Sequence, residues 1–339
     1  MMVSLARWME EALYDPTQGY YTRNISTVGR GGDFSTAVTL SPVIGQAVWS
    51  WVREESNYHR GRVLHAIEIG AGDGALMQAV LSSRGWRERW MLRKKNCVHF
   101  HIVERSPALE HLQKTRLRNL GVTWHQSMEA ALAACGGRAF IFSNELVDAF
   151  PVVQVRWSGS CWEEVCLDIA TDPPREVMRK YCGSEEPTDL PLWPGPPRAG
   201  HRVERHFSYR DWLASWLPKL QSGSLLTIDY GGEFPELPCR RPGGTLRGYL
   251  RHQRVEGSDV YLNKGKQDLT ADVNFSDLQR WGEEFGLENL PLETQREFLL
   301  RSRSQLDACL DPAVQAVLHP DGAGTAFKVL RQRKTSSTT

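Results

Sequence analysis

The sequence predicts an α/β protein built on a Rossmann-like, doubly wound sheet with helices on both faces, and three observations carry that prediction. From about residue 61, short apolar runs alternate with helical patterns, as a parallel sheet with crossover helices requires. The first of these runs ends in Gly70-Ala71-Gly72-Asp73-Gly74, a turn in which the backbone lies open to a ligand at the start of a helix. The strand expected at 139–143 is tightly apolar through Ala-Phe-Ile-Phe, as suits a strand buried on both faces, and ends at the polar pair Asn144-Glu145.

The elements follow in order. Residues 1–60 read as an N-terminal helical and loop element: a first helix ending near Asp15-Pro16, the glycine-rich stretch 29–33, and a second helix opened by Ser41-Pro42, a good cap followed by a residue suited to the first turn. The core, 61–232, is expected to place strands at 65–69, 99–104, 122–125 and 139–143 and helices at 74–81, 107–120 and 128–134. A hairpin over 152–157 and 161–167 comes next, then a proline-rich surface insertion at 171–200, a helix at 212–220 and a buried strand at 225–229. Residues 233–275 form a long Gly-, Pro- and Arg-rich connection; loops of that length inside a domain tend to be lids or substrate-binding segments. The part 276–331 returns to the core with a helix and a last strand, and 332–339 is a polar tail.

Composition narrows the function. Forty-one Lys+Arg against 40 Asp+Glu leave a net charge of +1, so there is no field to attract nucleic acid or an anionic membrane in general. No apolar run approaches the roughly 20 residues that span a bilayer. The first helix carries acids and lacks a signal-like apolar core, and seven cysteines form no CxxC pair. These features predict reduced thiols, no metal site, and a cytoplasmic protein.

The glycine loop admits three readings: a dinucleotide site, an S-adenosylmethionine site, or a tight structural turn. Its spacing is GxGxG, not the GxGxxG of dinucleotide folds, and Glu68 stands just before it. A carboxylate there opposes a pyrophosphate but suits a ligand with an ammonium and a sulfonium. Glu104 closes the next strand, where a carboxylate can accept both hydroxyls of an adenosyl ribose. Glu68, Gly70, Gly72, Gly74 and Glu104 are therefore the candidate cofactor residues. Asn144 and Glu145 lie where such sheets present the reacting group and could orient an amine or guanidinium nucleophile; the blander alternative is that they cap the next turn. Asp148 is a third candidate, or a brace for the loop before Pro151.

With these residues placed, the chain resembles the MidA-type S-adenosylmethionine-dependent methyltransferases along nearly its whole length. The resemblance rests on Gly19-Tyr20-Tyr21, Gly32-Asp33-Phe34, the segment 68–74, Val103-Glu104-Arg105-Ser106-Pro107, and Asn144-Glu145-Leu146-Val147-Asp148-Ala149-Phe150-Pro151. Further matches are Ile228-Asp229-Tyr230-Gly231, Gly244-Thr245-Leu246-Arg247-Gly248-Tyr249 with His252, Asp268-Leu269-Thr270-Ala271 and Phe327-Lys328-Val329-Leu330. It implies a class I methyltransferase sheet with S-adenosyl-L-methionine as cofactor. It also implies that Asp33-Phe34 folds over the cofactor, that Asn144, Glu145 and Asp148 face the methyl group, and that Arg247 and His252 stand near the wall of a substrate cleft. Mitochondrial members of that family dimethylate an arginine of a respiratory complex I subunit, so a protein substrate with an arginine acceptor is expected. Departures occur at Val43, where the family carries an acid, and at Asp272 and Asn274, where it carries His and Asp. They leave a small-molecule acceptor open, and the 12 tryptophans, as candidate aromatic anchors, leave open an assembly module that binds cofactor without turnover.

Overall fold

The structure is a computed structural model that describes residues 1–24, 41–60, 65–84, 98–183, 195, 197–251, 253–303 and 311–334. Asp33, Phe34 and His252 lie outside the described residues. The chain forms two compact units that alternate along the sequence. One comprises Ser26–Leu146, Leu213–Asp229 and Gln279–Thr339; the other comprises Met1–Ile25, Val147–Trp212 and Tyr230–Leu278. A segmentation read end to end along the chain could not see this, because what defines each unit is pairing between distant stretches.

The first unit is the sheet unit. Its strands run in the order Glu288–Asn289, Phe327–Lys334, Ser222–Gly232, Arg138–Asn144, His65–Ile69, His99–Val103 and Val122–His125. The last five pair in parallel, and Glu288–Asn289 is antiparallel to Phe327–Lys334. The predicted α/β sheet is thus observed. Side chains alternate across its two faces. Ala66, Phe100, Ile102, Phe140, Phe142, Leu226 and Ile228 pack into one core with the helices Val43–Tyr58, Ala75–Ser82, Gln295–Ser302 and Pro312–Leu318. Across the other face, the helix Met128–Ala134 packs on the strands His99–Val103 and Val122–His125. The first two of the core-facing helices meet closely at Gly45, where an added Cβ would stand 2.4 Å from Ala79 Cβ. Val43 begins its helix within this core, 4% exposed, which accounts for an apolar residue there.

The second unit carries an antiparallel sheet in the order Met2–Ser4, Trp162–Asp168, Val153–Trp157 and Arg202–Arg205, with Arg175–Lys180 also pairing to Trp162–Asp168. The hairpin is as predicted, but the proline-rich insertion contains a strand. The long connection is likewise structured: Arg247–Leu250 pairs antiparallel with Gln253–Val255 and with Asp268–Thr270. Asn274 caps the following helix, its Oδ1 accepting from Ser276 N at 3.2 Å.

Candidate active site

In the sheet unit, the strand His65–Ile69 delivers Glu68 and then the glycine loop. Gly70, Gly72 and Gly74 have φ of +64°, +53° and +85°, the left-handed region in which a Cβ is penalised. Asp73 closes the loop onto the start of the next helix, its Oδ1 accepting from Ala75 N at 3.0 Å. Arg116 holds Asp73 from outside, donating to its carbonyl at 2.9 Å and to Oδ2 at 2.5 Å.

Glu104 follows the strand His99–Val103 and is 7% exposed. Its Oε1 accepts from Ser106 N at 2.8 Å and its Oε2 from Gln113 Nε2 at 2.9 Å. The same amide of Gln113 donates to Gly72 O at 2.9 Å, and Trp124 Nε1 fixes its Oε1 at 3.1 Å. Gln113 is fully buried and ties the glycine loop to Glu104. The sequence offered no signal for it, since a glutamine on a helix acquires this role only when that helix is docked. Each carboxylate oxygen has two acceptor positions, so Glu104 retains capacity for ribose hydroxyls.

Glu68 is 2% exposed and its Oε2 has no hydrogen-bond partner. Burial, with the nearby Asp73 and Glu104 carboxylates, pushes its carboxyl up to about 8. Burial also raises Glu104, against the hydrogen bonds from Ser106 and Gln113. A buried carboxyl with an idle oxygen, among further acids, fits a cationic group arriving from outside; an ammonium beside a sulfonium is such a group, whereas a pyrophosphate would be repelled.

The tip of the strand Arg138–Asn144 lies against the same loop: a Cβ on Gly70 would stand 2.7 Å from Leu146 Cδ1. Glu145 has φ of +52°, a conformation that costs a non-glycine residue about 1 kcal/mol or more and that concentrates at functional sites. Its N donates to Ile228 O at 2.9 Å, and Leu146 N donates to Asp229 Oδ2 at 3.2 Å, so the neighbouring strand holds the turn. Asn144 Nδ2 donates to Glu145 Oε1 at 3.0 Å, while Asn144 Oδ1 is buried without a partner.

Asp148 belongs to the other unit. There it accepts from the Tyr230 hydroxyl. Burial raises its carboxyl to about 6, against the pull of Tyr230 and of the Arg247 charge. Arg247 is 8% exposed. It donates to Asp272 Oδ1 at 2.6 Å and to Thr245 O at 3.0 Å, with Nε on Tyr249 Oη at 3.1 Å, and its guanidinium stacks 4.6 Å over the Tyr230 ring. Burial works against its charge, but Tyr230, Asp272 and Tyr249 outweigh that and hold its pKa above the ordinary arginine value. The departure at Asp272 is thus one half of a buried ion pair. Tyr21, from the N-terminal Gly-Tyr-Tyr segment, donates to Asp268 Oδ1 at 2.7 Å in the same unit.

Comparison with known proteins gives this geometry a context. Residues 43–292 match the family model of S-adenosyl-L-methionine-dependent methyltransferases, well over half of the chain. Protein arginine methyltransferase NDUFAF7, mitochondrial, of Danio rerio is 28% identical, covering 96% of this chain and 82% of its own. The Homo sapiens protein of that name is 25% identical over 82% of this chain and 65% of its own. A Burkholderia thailandensis protein whose crystal structure holds S-adenosyl-homocysteine is 25% identical, with a TM-score of 0.81 over all of this chain and 89% of its own. The curated relatives overturn the cytoplasmic location expected from the sequence, because their names place them in mitochondria; the absence of a signal-like apolar core did not bear on that address. Among the described residues, no helix is long and apolar enough to cross a membrane.

Proposed function

This chain belongs to the MidA-type family of S-adenosylmethionine-dependent methyltransferases, and on that premise we propose that it methylates a protein side chain, with an arginine nitrogen as acceptor. The observation that carries the reading is the tip of the Arg138–Asn144 strand: Glu145 held at positive φ, with Asn144 Oδ1 buried and idle beside it. The bound cofactor supplies an electrophilic methyl group. In the proposal, Glu145 accepts a hydrogen bond from the acceptor's N–H groups and turns the nitrogen toward that methyl, since in-line transfer needs the two atoms aligned at about 3–3.5 Å. Asn144 Nδ2 fixes the Glu145 carboxylate, and Asn144 Oδ1 accepts a further N–H. A guanidinium offers several donors in one plane, which matches two adjacent acceptors. Mitochondrial relatives named as protein arginine methyltransferases support the same substrate class.

Incubating the protein with methyl-labelled cofactor and a lysate of its own host tests this. Label is expected in protein, recovered after hydrolysis as methylated arginine. Label confined to small molecules would replace the protein acceptor with a metabolite.

On the cofactor side, we assign Gly70, Gly72 and Gly74 to close backbone approach, Glu104 to the ribose and Glu68 to the ammonium. Glu68 makes this measurable. In the free protein it is protonated below about pH 8, and pairing with an ammonium requires the carboxylate. Binding between pH 6 and 8 is therefore expected to release a proton, and affinity to rise by up to tenfold per pH unit toward pH 8. Calorimetry in buffers of different ionisation enthalpy reads the proton count. An identical count in Glu68→Gln would remove Glu68 from the ammonium site.

A further inference from the structure

We propose that His65, His101 and Cys135 form a binding site for a zinc-class divalent metal ion at the opposite end of the strands from the glycine loop. His65 opens its strand and Gly70 follows the strand's end, a separation of roughly 16 Å at 3.3 Å per residue. The site thus owes nothing to the cofactor residues.

Strand register assembles it. His65 pairs with His99, Ile67 with His101, and Val103 with His125. By the two-residue alternation of a strand, His65, His99, His101 and His125 stand on one face, opposite Ala66, Phe100 and Ile102. The helix Met128–Ala134 packs over the two outer strands and ends on Cys135. One ligand atom from each of His65, His101 and Cys135 lies within 4.8 Å of the others. His65 Nδ1 and His101 Nε2 are 3.0 Å apart; tetrahedral bonds of about 2.0–2.1 Å to nitrogen place two such ligands roughly 3.3 Å apart, so only a small opening is needed. The other nitrogen of His101, Nδ1, meets His125 Nε2 at 3.0 Å, the kind of second contact that orients a ligating imidazole.

The ion bonds to the Cys135 sulfur by displacing the thiol proton, one released per ion bound. Two imidazoles and one thiolate leave a fourth position for water. The lack of a CxxC pair does not argue against the site, because strand register, not sequence spacing, gathers its ligands.

The test uses the untagged protein stripped with a chelator. Titration with Zn2+ is expected to fill one site per chain, and Co2+ is expected to show a thiolate-to-metal charge-transfer band. Cys135→Ser should abolish that band and the exposed Cys161→Ser should keep it. His101→Ala, and the less buried His65→Ala in case the former misfolds, should each weaken Zn2+ binding at least 100-fold. Cofactor affinity should not change in Cys135→Ser. Failure to bind one equivalent, or a cobalt spectrum indifferent to Cys135→Ser, would leave the imidazoles as a hydrogen-bonded ladder and overturn the proposal.

Discussion

Replacing Gly72 by valine is expected to abolish binding of S-adenosylmethionine, raising Kd at least 100-fold, a loss of about 2.7 kcal/mol. Two effects act together. At φ of +53° a β-branched side chain costs about 1–3 kcal/mol, so the loop moves to a different conformation. That movement carries the Gly72 carbonyl away from Gln113 Nε2, which also holds Glu104 Oε2, and so disturbs two assigned contact points at once. The new methyl groups would also occupy the space in which the ligand approaches the backbone. Gly136→Val separates these effects. Gly136 has φ of +58° and open space where a Cβ would point, so that variant should lose similar stability and keep normal affinity. Calorimetry and thermal melting on both variants read the difference. A folded Gly72→Val protein that binds cofactor normally would sink the assignment of the loop.

The parts of this arrangement that are local were legible in the sequence. The strand His65–Ile69, the glycine loop and the strand Val122–His125 stand where apolar runs and glycine spacing put them. Each is decided by side chains within a few residues of one another. The unread parts depend on contacts between distant segments. Met2–Ser4 is a strand because it pairs with Trp162–Asp168. Arg175–Lys180 reads as a charged surface segment until its pairing to the same strand is known. Gln113 and Asp272 look like ordinary polar residues, and only docking turns them into the clasp on Glu104 and the partner of Arg247. The glycine loop and Glu145 were visible as candidates because their chemistry sits at a strand end. The positive φ of Glu145 was not, since glutamate has no preference that announces it.

Glu145→Gln is expected to leave cofactor affinity within about twofold of the parent and to lower methyl transfer by about 10²–10³-fold, or roughly 2.7–4 kcal/mol of transition-state stabilisation. Glutamine keeps the length of the side chain, and its carbonyl oxygen can still accept from Asn144 Nδ2. What disappears is the negative charge that, in the proposed role of Glu145, faces an acceptor nitrogen becoming more positive as the methyl arrives. The backbone supplies an independent check. Glu145 is held at φ of +52° by the bond from its N to Ile228 O, a conformation glycine adopts freely. Glu145→Gly should therefore match or exceed the parent in thermal stability, by up to about 1 kcal/mol, while losing transfer as completely as the glutamine variant. If Glu145 only capped the turn after its strand, the order would reverse: glycine would weaken the fold and glutamine would transfer methyl groups normally. Measuring melting temperature and labelled methyl incorporation on the same two proteins decides between a strained reacting residue and a turn residue, because stability and turnover are expected to move in opposite directions.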